Sequence, residues 1–230
     1  MIEATLQKQS EAVDVYKVSF LRDLFYRTGE SLEISYEIER RFLPKALPDN
    51  IEKGEWRDMT QVYVPVRFQG KEREVRLRQT YNADEQTRLR AVEKINVDQG
   101  LVFDKDSAGS FVRSTRKEES HLLVSNANDF MKVWNRHQGN EVTRTRFYLN
   151  YTLPESRKTC EIHVDVFREK FDGLVRAEVE FGNLADADYF AANPKEWPAW
   201  FDKDVTGKET YKSKKLFKGG GNADAHEKWK

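Results

Sequence analysis

Short strand-like segments with inverted alternation constrain this chain more than any other feature. Glu37-Ile38-Glu39-Arg40-Arg41-Phe42 puts Glu37, Glu39 and Arg41 on one side of an extended chain and Ile38, Arg40 and Phe42 on the other. Val75-Arg76-Leu77-Arg78 and Thr143-Arg144-Thr145-Arg146-Phe147 repeat the pattern with arginines. Ile162-His163-Val164-Asp165-Val166 and Ala177-Glu178-Val179-Glu180-Phe181 complete the set. Side chains alternate faces along a strand, so each segment carries one charged face and one mostly apolar face. One such strand is ordinary. Five of them, with both charge signs present, predict a closed antiparallel sheet with a charged lumen and an apolar exterior.

Composition narrows the partners. The chain has 230 residues, of which 34% are charged, above the share of about a quarter usual in globular domains. Lys+Arg and Asp+Glu both total 39, so the formal net charge is zero. That balance argues against a generally basic nucleic-acid surface. Cys160 is the one cysteine, so no intrachain disulfide can form, which fits a reducing compartment. No apolar run reaches the length of a membrane span, and the N-terminus carries no apolar signal core. A cytoplasmic protein without membrane or nucleic-acid partners is expected, as a monomer or homodimer.

Along the chain, Val13, Tyr16, Phe20, Leu21, Leu24 and Phe25 recur at helical spacing, which predicts a helix over 10–27 ended near Gly29. Residues 1–31 therefore read as an N-terminal helical extension. Strands are predicted at 33–43, 61–68, 72–80, 87–95, 141–151, 159–169 and 174–182. Helices are predicted at 128–135 and 185–191, followed by the loop Trp197-Pro198-Ala199-Trp200. Pro154-Glu155-Ser156 and Asp172-Gly173 are turn signals. The segment 32–217 reads as one domain, and 218–230, opening on glycines, as a disordered tail.

The charged faces carry the chemistry. Glu37 and Glu39 project together, as do Glu178 and Glu180. Unpaired carboxylates inside a sheet are very costly, so they need a counter-charge, and a hard divalent cation with oxygen ligands is a natural one. Arg76, Arg78, Arg144 and Arg146 supply the opposite sign, with Lys94 and Arg116 as candidates to join them. Arginine forks match phosphate oxygens. The bland alternative is an internal salt-bridge lattice, but a hydrophobic core could replace such a lattice at no loss. A metal with a triphosphate is the economical ligand. His163, the one histidine in a charged strand, reads as a satisfied lumen residue before a ligand. No phosphate loop of the Gly-x-x-x-x-Gly-Lys type and no His-Glu-x-x-His is present.

These residues resemble a known family. Glu37-Ile38-Glu39-Arg40-Arg41-Phe42-Leu43 is similar to the Glu-x-Glu-x-Lys signature of the CYTH family, the triphosphate tunnel metalloenzymes. In order along the chain, Arg76-Leu77-Arg78 resembles its Arg-x-Arg strand, Val92-Glu93-Lys94 its Thr-x-Lys, Arg116-Lys117-Glu118 its Arg-x-Glu and Arg144-Thr145-Arg146 its Lys-x-Arg. His163-Val164-Asp165-Val166-Phe167 resembles its Ile-Asp-Val-Phe segment. The run from Gly173 to Phe181 is close to its Gly-Leu-x-x-Ala-Glu-Val-Glu-Phe, and the segment from Asp204 to Ser213 resembles its C-terminal part. Two positions depart from the pattern. Arg41 stands where the family has a lysine assigned to water activation, and Ser120 stands where a second acid often follows Arg-x-Glu.

The resemblance implies an α+β fold: a closed antiparallel eight-stranded β-barrel tunnel with helices packed on the outside. It implies a hydrolase of an inorganic or organic triphosphate that depends on Mg2+ or Mn2+. Glu37, Glu39, Glu118, Asp165, Glu178 and Glu180 would hold the metal. Arg41, Arg76, Arg78, Lys94, Arg116, Arg144, Arg146 and Lys212 would bind the substrate, with Glu37, Glu39 and Arg41 catalytic. Arginine stays charged at any working pH, so Arg41 can bind phosphate but cannot be a base. The family also supports adenylate cyclisation of the class IV type, and a non-catalytic polyphosphate or nucleotide binder is the third reading.

Overall fold

In the computed structural model, which describes residues 33–49, 51–68, 71–82, 87–95, 114–123, 127–139, 141–211, 213 and 215, nine strands form one sheet. They are β1 (Glu33–Pro44), β2 (Glu55–Phe68), β3 (Lys71–Asn82), β4 (Thr87–Ile95), β5 (Ser114–Leu123), β6 (Val142–Thr152), β7 (Thr159–Phe167), β8 (Val175–Phe181) and β9 (Phe201–Asp204). Every pairing is antiparallel. The order is β5-β4-β3-β2-β6-β7-β8-β1-β9, with a further pairing of β1 to β5. Two α-helices accompany the sheet among the described residues, α1 (Ala127–Asn135) and α2 (Leu184–Ala192). Neither is long and apolar enough to cross a membrane. The expected N-terminal helix and C-terminal tail lie outside the described residues.

This architecture corrects the expectation of an eight-stranded closed barrel sheathed in helices. The sheet runs on past the eighth strand because β1 is longer than its pairing with β5. It meets β5 from Glu33 to Glu39, then β9 from Phe42 to Pro44. The four residues of β9 are too few to show an alternation, so that segment reads as loop in the sequence. Phe42, Ile162, Val164, Val175, Ala177 and Val179 form the apolar side of β1, β7 and β8, and they pack with Phe190, Phe201, Trp197 and Trp200. Phe42 is fully buried, its ring stacked on Phe201 at 4.4 Å and edge-on to Trp197 at 4.8 Å. Among the described residues, α2 and an aromatic loop, and not a layer of helices, cover this apolar side.

Local chemistry explains these pieces. Asn183 caps α2, its side-chain oxygen accepting from the Asp186 amide at 2.9 Å, which satisfies an amide that the first helical turn leaves without a partner. Gly173 has φ 88, a conformation glycine adopts without steric cost, and so completes the predicted Asp172-Gly173 turn. Glu196 is buried beneath the β6–β7 turn, where its Oε2 accepts from the amides of Glu155 and Ser156, each at 3.0 Å. Its other oxygen accepts from the Tyr189 hydroxyl at 2.5 Å. This glutamate ties the turn to the aromatic loop.

Cys160 lies in the same apolar cluster, and burial pushes its thiol up to about 11. Only the thiolate is nucleophilic, so at pH 8 a fraction of roughly one part in a thousand is reactive. A thiol-specific disulfide reagent is expected to titrate Cys160 in seconds after denaturation and at least tenfold more slowly in the native protein. Equal rates would place the thiol outside the core.

Candidate functional site

Register brings the inward charges together. Across β7 and β8, Asp165 lies opposite Arg176, His163 opposite Glu178 and Glu161 opposite Glu180. Across β6 and β7, Arg146 lies opposite Asp165 and Tyr148 opposite His163. Across β1 and β8, Arg41 lies opposite Glu178 and Glu39 opposite Glu180. Directly opposed residues on antiparallel strands share a face, so four strands present their charges to one region.

The contacts there are dense. Arg146 grips Asp165 with two bonds, Nε to Oδ1 at 2.6 Å and Nη2 to Oδ2 at 2.8 Å, and reaches Glu178 Oε2 at 2.5 Å. Arg176 Nη2 sits 2.8 Å from Asp165 Oδ2 and 2.9 Å from Glu178 Oε1. Arg41 Nε donates to Glu178 Oε1 at 3.2 Å, and its Nη2 contacts Glu39. Arg144 Nε lies 3.0 Å from Asp165 Oδ1. These ion pairs join four guanidiniums to three carboxylates. Arg144 is 1% exposed, and its Nη1 makes no hydrogen bond. An unsatisfied buried donor costs about 1–3 kcal/mol.

An apolar cluster adjoins this region. Val142, Phe167, Phe171 and Leu174 cluster there, with Leu43 against them. Arg176 and Arg144 lie over the Phe167 ring, at 5.3 and 5.9 Å from its centre. The low dielectric there strengthens the charge interactions of these two arginines.

The protonation states follow from this setting. Burial pushes Asp165 up, but Arg144 and Arg146 outweigh it and hold the carboxyl well below the usual range. Burial also opposes the charge on Glu178, and Arg176, Arg146 and Arg41 drive it well below its ordinary value. For Arg146 the balance again goes to its partners, since Asp165 and Glu178 overcome burial and hold the guanidinium more firmly charged. Arg144 goes the other way. Burial lowers it, Asp165 opposes, and the like charges of Arg146 and Arg176 add to the lowering. Burial lowers His163, but its hydrogen bonds to the Glu180 and Glu161 carboxylates outweigh that cost and the repulsion of Arg146, so it is raised.

Next to the arginine network lies a small donor set. One ligand atom each from His163, Glu178 and Glu180 falls within 4.8 Å of the others. His163 Nδ1 is 3.4 Å from Glu180 Oε1 and 3.2 Å from Arg146 Nη1, and its Nε2 meets Glu161. Two carboxylates and an imidazole at this separation suit a divalent cation such as Mg2+ or Mn2+, and the latter accepts nitrogen more readily.

Of the residues expected from sequence, Glu39, Arg41, Arg144, Arg146, Asp165, Glu178 and Glu180 meet in this one region. Arg76 and Arg78 stand on β3, opposite Tyr63 and Gln61 of β2. Backbone register aligns Glu37 with Arg116 and Lys94 with Glu118, while the side chains of these four lie outside what the structure describes. Lys212 lies outside the described residues. Arg176 was not anticipated, although its place two residues before Glu178 on β8 gave the signal. His163, expected as a satisfied lumen residue, contacts Arg146, Glu161 and Glu180 and also joins the candidate donor group.

No family model and no curated protein matches the chain. Several solved structures resemble it, two of them as follows. One, described as the inorganic triphosphatase NE1496, is 24% identical over 81% of this chain and 96% of its own, with a TM-score of 0.46. The other, described as the hypothetical protein NE1496, is 24% identical over 78% and 96%, with a TM-score of 0.44. Likenesses of this degree do not bear on activity.

Proposed function

We propose that the chain binds a triphosphate-containing small molecule together with Mg2+ or Mn2+ and hydrolyses it. The observation that carries this reading is the buried arginine network, in which Arg144 keeps donors without a hydrogen-bond partner. An anion with several oxygens would satisfy those donors. Arg41, Arg144 and Arg146 would form the wall that grips it, extended along the sheet by Arg76 and Arg78. Lys94, Arg116 and Lys212 are proposed as further cationic contacts.

Glu178, Glu180 and His163 would hold the cation, with Glu39 in register beside Glu180 and Glu37 and Glu118 as proposed additional ligands. When bound, the cation would neutralise phosphate charge and polarise the terminal phosphoryl group. The chain's own contribution is electrostatic. Guanidiniums already fixed by carboxylates need no reorganisation when charge shifts toward the leaving oxygen. Hydrolysis places a water oxygen on the terminal phosphorus, breaks the bridging P–O bond and releases orthophosphate. Arg41 stays protonated throughout, so it holds phosphate and takes no proton.

Calorimetry with metal-free anions tests the binding step. Tripolyphosphate is expected to bind more tightly than orthophosphate by about a hundredfold, because separate cationic strands act together only on a long anion. Raising the ionic strength from low to about 0.1 M, where the Debye length is about 10 Å, should weaken it markedly. Equal affinities for the two anions would reduce the arginines to a structural lattice.

A further inference from the structure

Asp165 carries the residue type of a metal ligand but sits in a different environment. It is fully buried. Its Oδ1 accepts from Arg146 Nε at 2.6 Å and lies 3.0 Å from Arg144 Nε. Its Oδ2 accepts from Arg146 Nη2 and from Arg176 Nη2, both at 2.8 Å. A carboxylate offers about four acceptor positions; these hydrogen bonds take three, and the Arg144 guanidinium stands beside the fourth. A divalent cation at Asp165 would have to displace guanidiniums and then stand among three positive charges.

Each arginine is, in turn, shaped by this contact. The two-pronged grip fixes the plane of Arg146 and leaves its Nη1 beside His163 at 3.2 Å. Arg176 spans from Asp165 to the Tyr211 carbonyl, to which its Nη1 donates at 2.5 Å. Arg144 and Arg176 lie over Phe167. Remove the Asp165 charge and three guanidiniums lose the anchor they share.

The geometry points to Asp165 as a positioning residue that aims Arg144, Arg146 and Arg176 at the anion and takes no part in holding the metal. The anion's identity rests on the triphosphate reading above, while the arginine anchoring does not. Glu178 is also held by three guanidiniums, but it lies within reach of His163 and Glu180, whereas Asp165 joins no such donor group among the described residues.

The test uses the full chain and Asp165→Asn, which keeps the shape and removes the charge. Three properties are measured: Mn2+ affinity by electron paramagnetic resonance without anion, tripolyphosphate affinity by calorimetry in chelator, and the arginine Nε–H signals by nitrogen-15 NMR. The expected result is a loss of tripolyphosphate affinity of about tenfold or more, displaced Arg146 and Arg176 signals and Mn2+ affinity within about twofold. A fall in Mn2+ affinity of tenfold or more, or unmoved arginine signals, overturns the proposal. If wild type binds no tripolyphosphate, the functional reading fails by itself, and the arginine signals still decide the role of Asp165. Should the single variant not fold, Asp165→Asn combined with Arg176→Gln removes one charge of each sign, and Mn2+ affinity and the Arg146 signal are read in the same way.

Discussion

Arg146→Met is expected to destabilise the protein by about 3–5 kcal/mol, the usual cost of removing one partner from a buried ion pair. Methionine fills much of the same space, so the loss is mainly electrostatic. Asp165 loses two hydrogen bonds and Glu178 loses one, and both carboxylates stay buried. Arg144 and Arg176 still touch Asp165, which keeps the cost toward the lower end. The pH dependence has a definite sign. Asp165 and Glu178 have folded pKa values below their ordinary ones. Their stabilisation is therefore complete above the ordinary carboxylate range, about pH 4, and is lost as pH falls through the folded values. With Arg146 gone, both carboxylates protonate more readily, so acid unfolding should begin at higher pH in the variant. Urea unfolding at neutral pH and at about pH 4 measures both effects. A variant as stable as wild type at both would mean that the ion pairs contribute nothing net.

Glu180→Gln is expected to reduce metal-dependent turnover by about a hundredfold or more, since Lewis-acid assistance contributes several kcal/mol to such reactions. The fold should survive. Glu180 is partly exposed and contacts His163, outside the arginine network. Mn2+ affinity should fall in parallel, while metal-free tripolyphosphate binding stays near the wild-type value. Glu161→Gln serves as a control, because Glu161 is exposed and meets His163 from the far side. Unchanged turnover in Glu180→Gln would move the cation away from the Glu178–Glu180 strand.

The charged faces were legible because period-two alternation survives in single segments. Glu39 and Arg41, Arg144 and Arg146, and Glu178 and Glu180 all meet as their parity implied. The limits of the reading have physical causes. β2 begins at Glu55, ahead of its expected start, because Glu55-Trp56-Arg57-Asp58 has no clean alternation. β5 registered only as an Arg-x-Glu motif, since Lys117 and Glu119 interrupt any apolar face. β9 is held by the end of β1, a long-range contact that four residues cannot announce. Asp165 shows the deepest limit. Its type and face were readable, but which neighbours fill its lone pairs depends on the register of β6 and β8 against β7. That register also brought in Arg176, and it carries the proposal that Asp165 anchors arginines.

Release of phosphate from a panel of triphosphates tests the central claim most directly. Tripolyphosphate, ATP and thiamine triphosphate are each incubated with the full chain and Mg2+ or Mn2+, and in parallel with chelator. The expected result is orthophosphate from at least one of them, dependent on the metal and lost in Glu180→Gln. Cyclic AMP with pyrophosphate from ATP, or tight binding of every triphosphate with no turnover under any condition, would contradict hydrolysis. Neither binding nor turnover with any of the three would contradict the triphosphate site itself.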